Sequence, residues 1–137
     1  MSQQENIELV KELQTRLFKS SPEEVGLLFS TDLDWEIAGD VGALPWIGRK
    51  TGRQAIVEFV RDSRDMLERL KFEVRGVLTD ADRAVIIGEL SSRVKATGKV
   101  IDTSFALILT IAGGEITRFQ MLENSFATSA AARASAL

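Results

Sequence analysis

The sequence predicts an α+β fold: a curved antiparallel sheet, open at one end like a cone and packed on three helices. Three observations predict it. Through the first half of the chain, apolar residues recur mostly at helical spacing. From about Lys71 the spacing changes to the period of two that marks strands. Short turns containing Asp or Gly then separate four such stretches, which makes them an antiparallel meander. Helices before sheet is the order of a domain whose helices cover one sheet face. The open end of a strongly bent sheet is a natural small-molecule pocket.

Each element has its own signal. Over residues 3–18, Ile7, Val10, Leu13 and Leu17 form one apolar stripe. Ser21-Pro22-Glu23-Glu24 supplies an N-cap, a proline at the first helical position and a capping-box glutamate, so a short second helix should run to about Phe29. Leu33, Trp35 and Ile37 alternate with polar residues and predict a strand over 33–38. After the glycine-rich stretch GDVGALPWIGRKTG, Thr51-Gly52-Arg53-Gln54 reads as another helix start, and Ile56, Phe59, Val60, Met66 and Leu67 carry that helix to about Leu70. Strands are then expected at about 71–79, 83–95, 100–111 and 115–123. The sequence reads as a single domain, 1–137, with its core at about 3–125; the Ala- and Ser-rich residues 126–137 read as a frayed or disordered tail.

Composition narrows the chemistry. Among 137 residues there is no Cys, no His and no Tyr. Thiolate nucleophiles, disulfides, Ser-His-Asp triads and His- or Cys-based metal sites are therefore excluded. Proton transfer is left to Asp and Glu, and secondarily to Lys. No metal and no cofactor is expected. A formal net charge of −3 with dispersed Lys and Arg argues against nucleic acid or an anionic membrane as partner. No stretch approaches the roughly 18 consecutive apolar residues of a transmembrane helix, and the first residues lack a signal-peptide pattern, so a cytoplasmic location is expected.

The segments DLDWEIAGD, PWIGRKTGRQAIVEFV, TGKVID and GGEITRFQMLENS, in that order, resemble the SnoaL-like, ketosteroid-isomerase-like branch of the nuclear transport factor 2 superfold. The resemblance implies a cone-shaped domain, commonly a homodimer through the outer sheet face. It also implies a fold used by isomerases, polyketide cyclases, epoxide hydrolases and non-catalytic proteins. For the isomerases it implies a catalytic base at Asp40, shortly before Pro45-Trp46-Ile47-Gly48. The partner groups of that chemistry, a Tyr and a protonated Asp, are not matched: Tyr is absent, and Ala106 stands at the family's Asp position, with Asp102 about four residues before it. Authentic ketosteroid isomerase chemistry is thereby disfavoured. An epoxide-hydrolase-like set could draw on Glu89, Arg93 and Asp102.

The candidate catalytic residues are thus Asp40 as base and Asp102 or Glu123 as proton donor. Glu123 shares an alternating row with Phe119 and Met121, and a carboxyl among apolar side chains holds its proton more tightly. Trp46, Trp35, Phe119 and Met121 are the candidate ligand-binding residues, Trp46 foremost because it lies in the loop. The expected function is a pocket for a small apolar molecule, with cofactor-free acid-base catalysis of isomerase, cyclase or epoxide-hydrolase type. The alternatives are a non-catalytic ligand-binding or accessory homodimer and a pure interaction module.

Overall fold

The computed structural model describes residues 3–133. Helices α1 (Gln3–Lys19) and α2 (Pro22–Gly26) lead into strand β1 (Phe29–Ile37) and a short β2 (Gly48–Thr51). Helix α3 (Gln54–Met66) follows. Then come β3 (Leu67–Thr79), β4 (Arg83–Val94), β5 (Val100–Ala112), β6 (Glu115–Glu123) and a last helix α4 (Ser125–Ala132). The six strands form one curved, unclosed sheet in the order β2-β1-β6-β5-β4-β3. All neighbours are antiparallel except β1 and β6, which run parallel. Register shifts at Arg69/Lys71 and Val74/Gly76 interrupt β3, and bulges of this kind bend a strand and increase its twist.

The inner face carries the core. Leu33, Trp35 and Ile37 on β1, Ile86 and Val94 on β4, and Phe105, Leu107 and Leu109 on β5 are all buried there. Trp35 stacks on Phe119 with ring centroids 4.2 Å apart and planes 4° from parallel. Gly88 makes room for the Phe105 ring: a Cβ there would run into the Glu73 carbonyl oxygen and lie 2.8 Å from that ring. From the helical side, α1 contributes Val10 and Leu13, and α3 contributes Ile56 and Val60. Asn6 fixes α1 to the β3–β4 turn by donating from Nδ2 to the carbonyls of Asp80 (2.9 Å) and Ala81 (3.0 Å).

Several local expectations change. The capping box at Ser21 and Glu24 forms as expected. Strand β1 begins earlier, at Phe29, because its pairing with β6 shifts register between Phe29 and Asp34 and the polar Ser30-Thr31-Asp32 sits across that break. Thr51 does not cap α3. It belongs to β2, Gly52 turns the chain with φ +107°, and the N-cap is Arg53, whose side chain makes no cap hydrogen bond. The Arg53 Nε donates to the Phe29 carbonyl instead (3.0 Å). Helix α3 stops at Met66, since Leu67 is extended and opens β3.

The expected frayed tail is ordered through Ala132. Asn124 caps α4 by accepting from the Ala127 N–H, and Thr128 and Ala131 are buried. Thr97 Oγ1 donates to the Ala131 carbonyl (2.6 Å), and Lys99 Nζ donates to the Arg133 carbonyl (2.7 Å). Both satisfy carbonyls that a helix C-terminus leaves open, and the lysine charge suits the negative end of the helix. Residues 134–137 of the expected tail lie outside the described residues.

Candidate functional site

A cavity of about 420 Å³ opens between the inner face of the sheet and the helices. Its walls come from α1, α3, the segment between β1 and β2, four strands and α4. Most of the lining is apolar, including Leu44, Phe59, Val60, Phe72, Leu90 and Ile101. Trp46 and Met121 line it as well. Trp46 is 7% exposed, meets Phe59 edge-on at 5.5 Å, and is fixed through its carbonyl, which accepts from the Trp35 indole N–H at 3.0 Å. The glycine-rich stretch is therefore cavity wall on its Leu44–Trp46 side. Its last residues form β2, where Lys50 pairs with Trp35 and Arg49 with Glu36.

Glu123 is the lone carboxylate in the lining. Its Oε2 accepts from Thr128 Oγ1 at 2.8 Å, and among the described residues no cation lies within ion-pair distance of it. Burial pushes its pKa above the usual glutamate value of 4.5, and the Thr128 hydrogen bond opposes this only in part. Ser92 is a further polar group of the lining. It is 8% exposed, and its hydroxyl has no hydrogen-bond partner among the described residues. The inner row of β4 reads Ala84, Ile86, Gly88, Leu90, Ser92, Val94, so a hydroxyl breaking an apolar row was the available sequence signal.

The other sequence-predicted residues lie elsewhere. Asp40 is absent from the cavity lining. Its Oδ2 accepts from Ser129 Oγ (2.6 Å) and from Arg133 Nε (2.7 Å), and these bonds hold its pKa down at about 2. So low a pKa makes a weak base, and both interactions tie the β1–β2 segment to α4. Asp102 lies on the outer sheet face, exposed, accepting from Ser91 Oγ at 2.8 Å. Alternation explains this: Ile101 and Thr103 face inward, so Asp102 between them cannot.

Glu89 and Arg93 share that outer face but do not form a set with Asp102. Glu89 pairs with Arg75 and Lys71, and Arg93 pairs with Glu68 at 3.5 Å. Trp35 and Phe119 stack in the core and do not line the cavity. Among the described residues, no three His, Cys, Asp or Glu side chains gather as a metal site would need.

An α+β cone whose curved, unclosed sheet is covered by helices on its concave face has the architecture of a nuclear-transport-factor-2-like fold. Residues 10–119 match the SnoaL-like domain family, and the chain belongs to that family. No curated protein sequence matches it. Among solved structures it is similar to a nuclear-transport-factor-2-like protein of Burkholderia xenovorans LB400 (TM-score 0.87, 21% identity, 97% of this chain and 99% of that one). It is also similar to a protein of Catenulispora acidiphila with a ketosteroid isomerase-like fold, solved with trimethylamine (0.74, 19%, 93% and 94%). A third is a Mesorhizobium loti protein provisionally assigned as a SnoaL-like polyketide cyclase (0.69, 16%, 85% and 97%). At such identities the likeness is one of fold.

Proposed function

We propose that this SnoaL-like domain binds a small, mainly apolar molecule in the cavity and moves a proton on it with Glu123. The observation that carries the reading is a carboxyl, protonated more readily than usual, in a mostly apolar lining that also presents the unpartnered Ser92 hydroxyl. A carboxyl that holds its proton more tightly than a solvated one can donate it and take it back, which suits isomerisation, aldol-type cyclisation or epoxide opening without a cofactor. Ser92 would donate to a substrate oxygen, and Trp46 and Met121 would hold the apolar body. Asp40 and Asp102 have structural roles in this reading.

The alternative is a non-catalytic binder in which Glu123 and Ser92 only match polar atoms of the ligand. One experiment separates the two. Ligands found by thermal shift are assayed for conversion with wild-type protein and with Glu123→Gln. Catalysis predicts a rate loss of about 100-fold or more with affinity within a few-fold of wild type. Tight binding with no conversion by either protein supports the binder.

The proposal includes a homodimer through the outer sheet face. Ile87, Ala106 and Leu122 lie side by side across β4, β5 and β6, and the two larger residues are exposed. A cytoplasmic setting remains part of the same reading, in keeping with the absence of cysteine.

A further inference from the structure

The cavity has two chemically different ends. Glu123 and its partner Thr128 line it from β6 and α4, and the cationic residues Arg64, Arg69 and Lys71 line it from α3 and β3, where Arg69 is the register partner of Ser92. Arg64 and Arg69 both come to the end of α1. Arg64 Nη2 donates to the Leu17 carbonyl at 2.9 Å, and the Arg69 guanidinium lies 4.0 Å over the Phe18 ring. Leu17 and Phe18 also line the cavity, so the two cations are held at one place on its rim. Among the described residues neither arginine has a carboxylate within ion-pair distance, whereas nearby Lys71 is paired with Glu73 and Glu89. A guanidinium has five N–H donors; one hydrogen bond or one ring contact leaves most of them open.

Resting on the reading of this cavity as a ligand site, we propose that its ligand is an apolar molecule with one anionic group, a carboxylate, sulfonate or phosphate. The anion sits against Arg64 and Arg69 at the rim, on the side of the cavity where Ser92 stands across from Arg69, and the apolar body passes inward past Trp46 toward Glu123. The arrangement sets polarity and direction together. The charged group stays at the wet end, where arginine hydrogen bonds replace its hydration. The reacting part of the molecule is delivered to the dry end.

The test uses two fluorescent probes of one skeleton. 8-Anilinonaphthalene-1-sulfonate carries the anion, and N-phenyl-1-naphthylamine lacks it. Wild-type protein should bind the sulfonate about tenfold more tightly than the amine. The double variant Arg64→Gln/Arg69→Gln should lose that preference while binding the amine within about twofold of wild type, and Arg64→Lys/Arg69→Lys should keep part of it. Arg75→Gln, on the outer face, should change neither affinity. Ser92→Trp, which fills the cavity, should abolish both.

Equal affinity of wild type for the two probes, or equal weakening of both by the double glutamine variant, overturns the anion assignment and leaves the cavity reading standing. Sulfonate binding that survives Ser92→Trp also overturns it, because the dye is then on the surface. Failure of wild type to bind either probe overturns both readings together.

Discussion

Glu123 shows how burial changes the proton affinity of an ordinary side chain. Its pKa is raised in the folded protein, so between 4.5 and that raised value the native state keeps a proton that the unfolded chain has lost. The native state then binds more protons, and stability falls as pH rises through this window and stays lower above it. Glu123→Gln keeps the shape and removes the titration. The variant should therefore gain stability over wild type as pH rises above 4.5, and the gain should vanish below it, measured by urea unfolding at a series of pH values. The place of Glu123 was legible in the alternation of Phe119, Met121 and Glu123. Ser92 was equally legible by parity. Arg64 and Arg69 were not: they stand on different elements and converge through contacts with the end of α1, which spacing along the chain does not encode.

Helix α4 shows where sequence patterns stop informing. Apart from the exposed Phe126, its residues Ser125–Ala132 are small, and the helix is weakly amphipathic, so no apolar stripe announces a docked helix. Tertiary contacts hold it: the Asn124 cap, Thr97 and Lys99 at its C-terminus, and Asp40 on Ser129 and Arg133. The cap is worth about 1 kcal/mol. Strand β2 escaped the sequence reading for a related reason, since four residues, Gly48–Thr51, are too few to show alternation.

The Asp40 contacts make a prediction that a catalytic base would not. Asp40→Asn should speed amide exchange within Ser125–Ala132 selectively, with probe binding in the cavity nearly unchanged. The pKa of Asp40 lies at about 2, below its ordinary 3.8, so its contribution is complete above about pH 4 and fades as pH falls toward 2. Wild-type protection of α4, corrected for intrinsic exchange, should approach that of the variant over that range. A loss of turnover with α4 protection intact would return Asp40 to the reaction.

Across the sheet the two faces divide the labour. The inner face builds core and cavity, while the outer face sets an apolar row of Ile87, Ala106 and Leu122 among charged pairs such as Arg118 with Asp34 and Glu36. A second copy would bury that row, and the charged rim would fix its orientation. Ala106→Arg, at the centre of the row, should weaken self-association at least about tenfold in sedimentation velocity. A wild-type chain that is monomeric at high micromolar concentration would contradict the dimer. The helix-first order and the meander made the architecture legible, because each strand from β3 to β6 is long and bounded by a short turn. The cavity was legible only as a consequence of curvature; of the two bulges in β3 that accompany it, the one at Val74/Gly76 is marked by a glycine within the strand and the one at Arg69/Lys71 by nothing in composition.

The account rests on one carboxyl that holds its proton more tightly than a solvated glutamate in a mostly apolar cavity. The most direct test is a carbon-13 NMR titration of the Glu123 side-chain carboxyl, assigned by comparison with Glu123→Gln. The account predicts a midpoint clearly above 4.5, moving further upward when N-phenyl-1-naphthylamine fills the cavity and excludes water. A midpoint at or below 4.5, unmoved by the probe, would place Glu123 in water and contradict it.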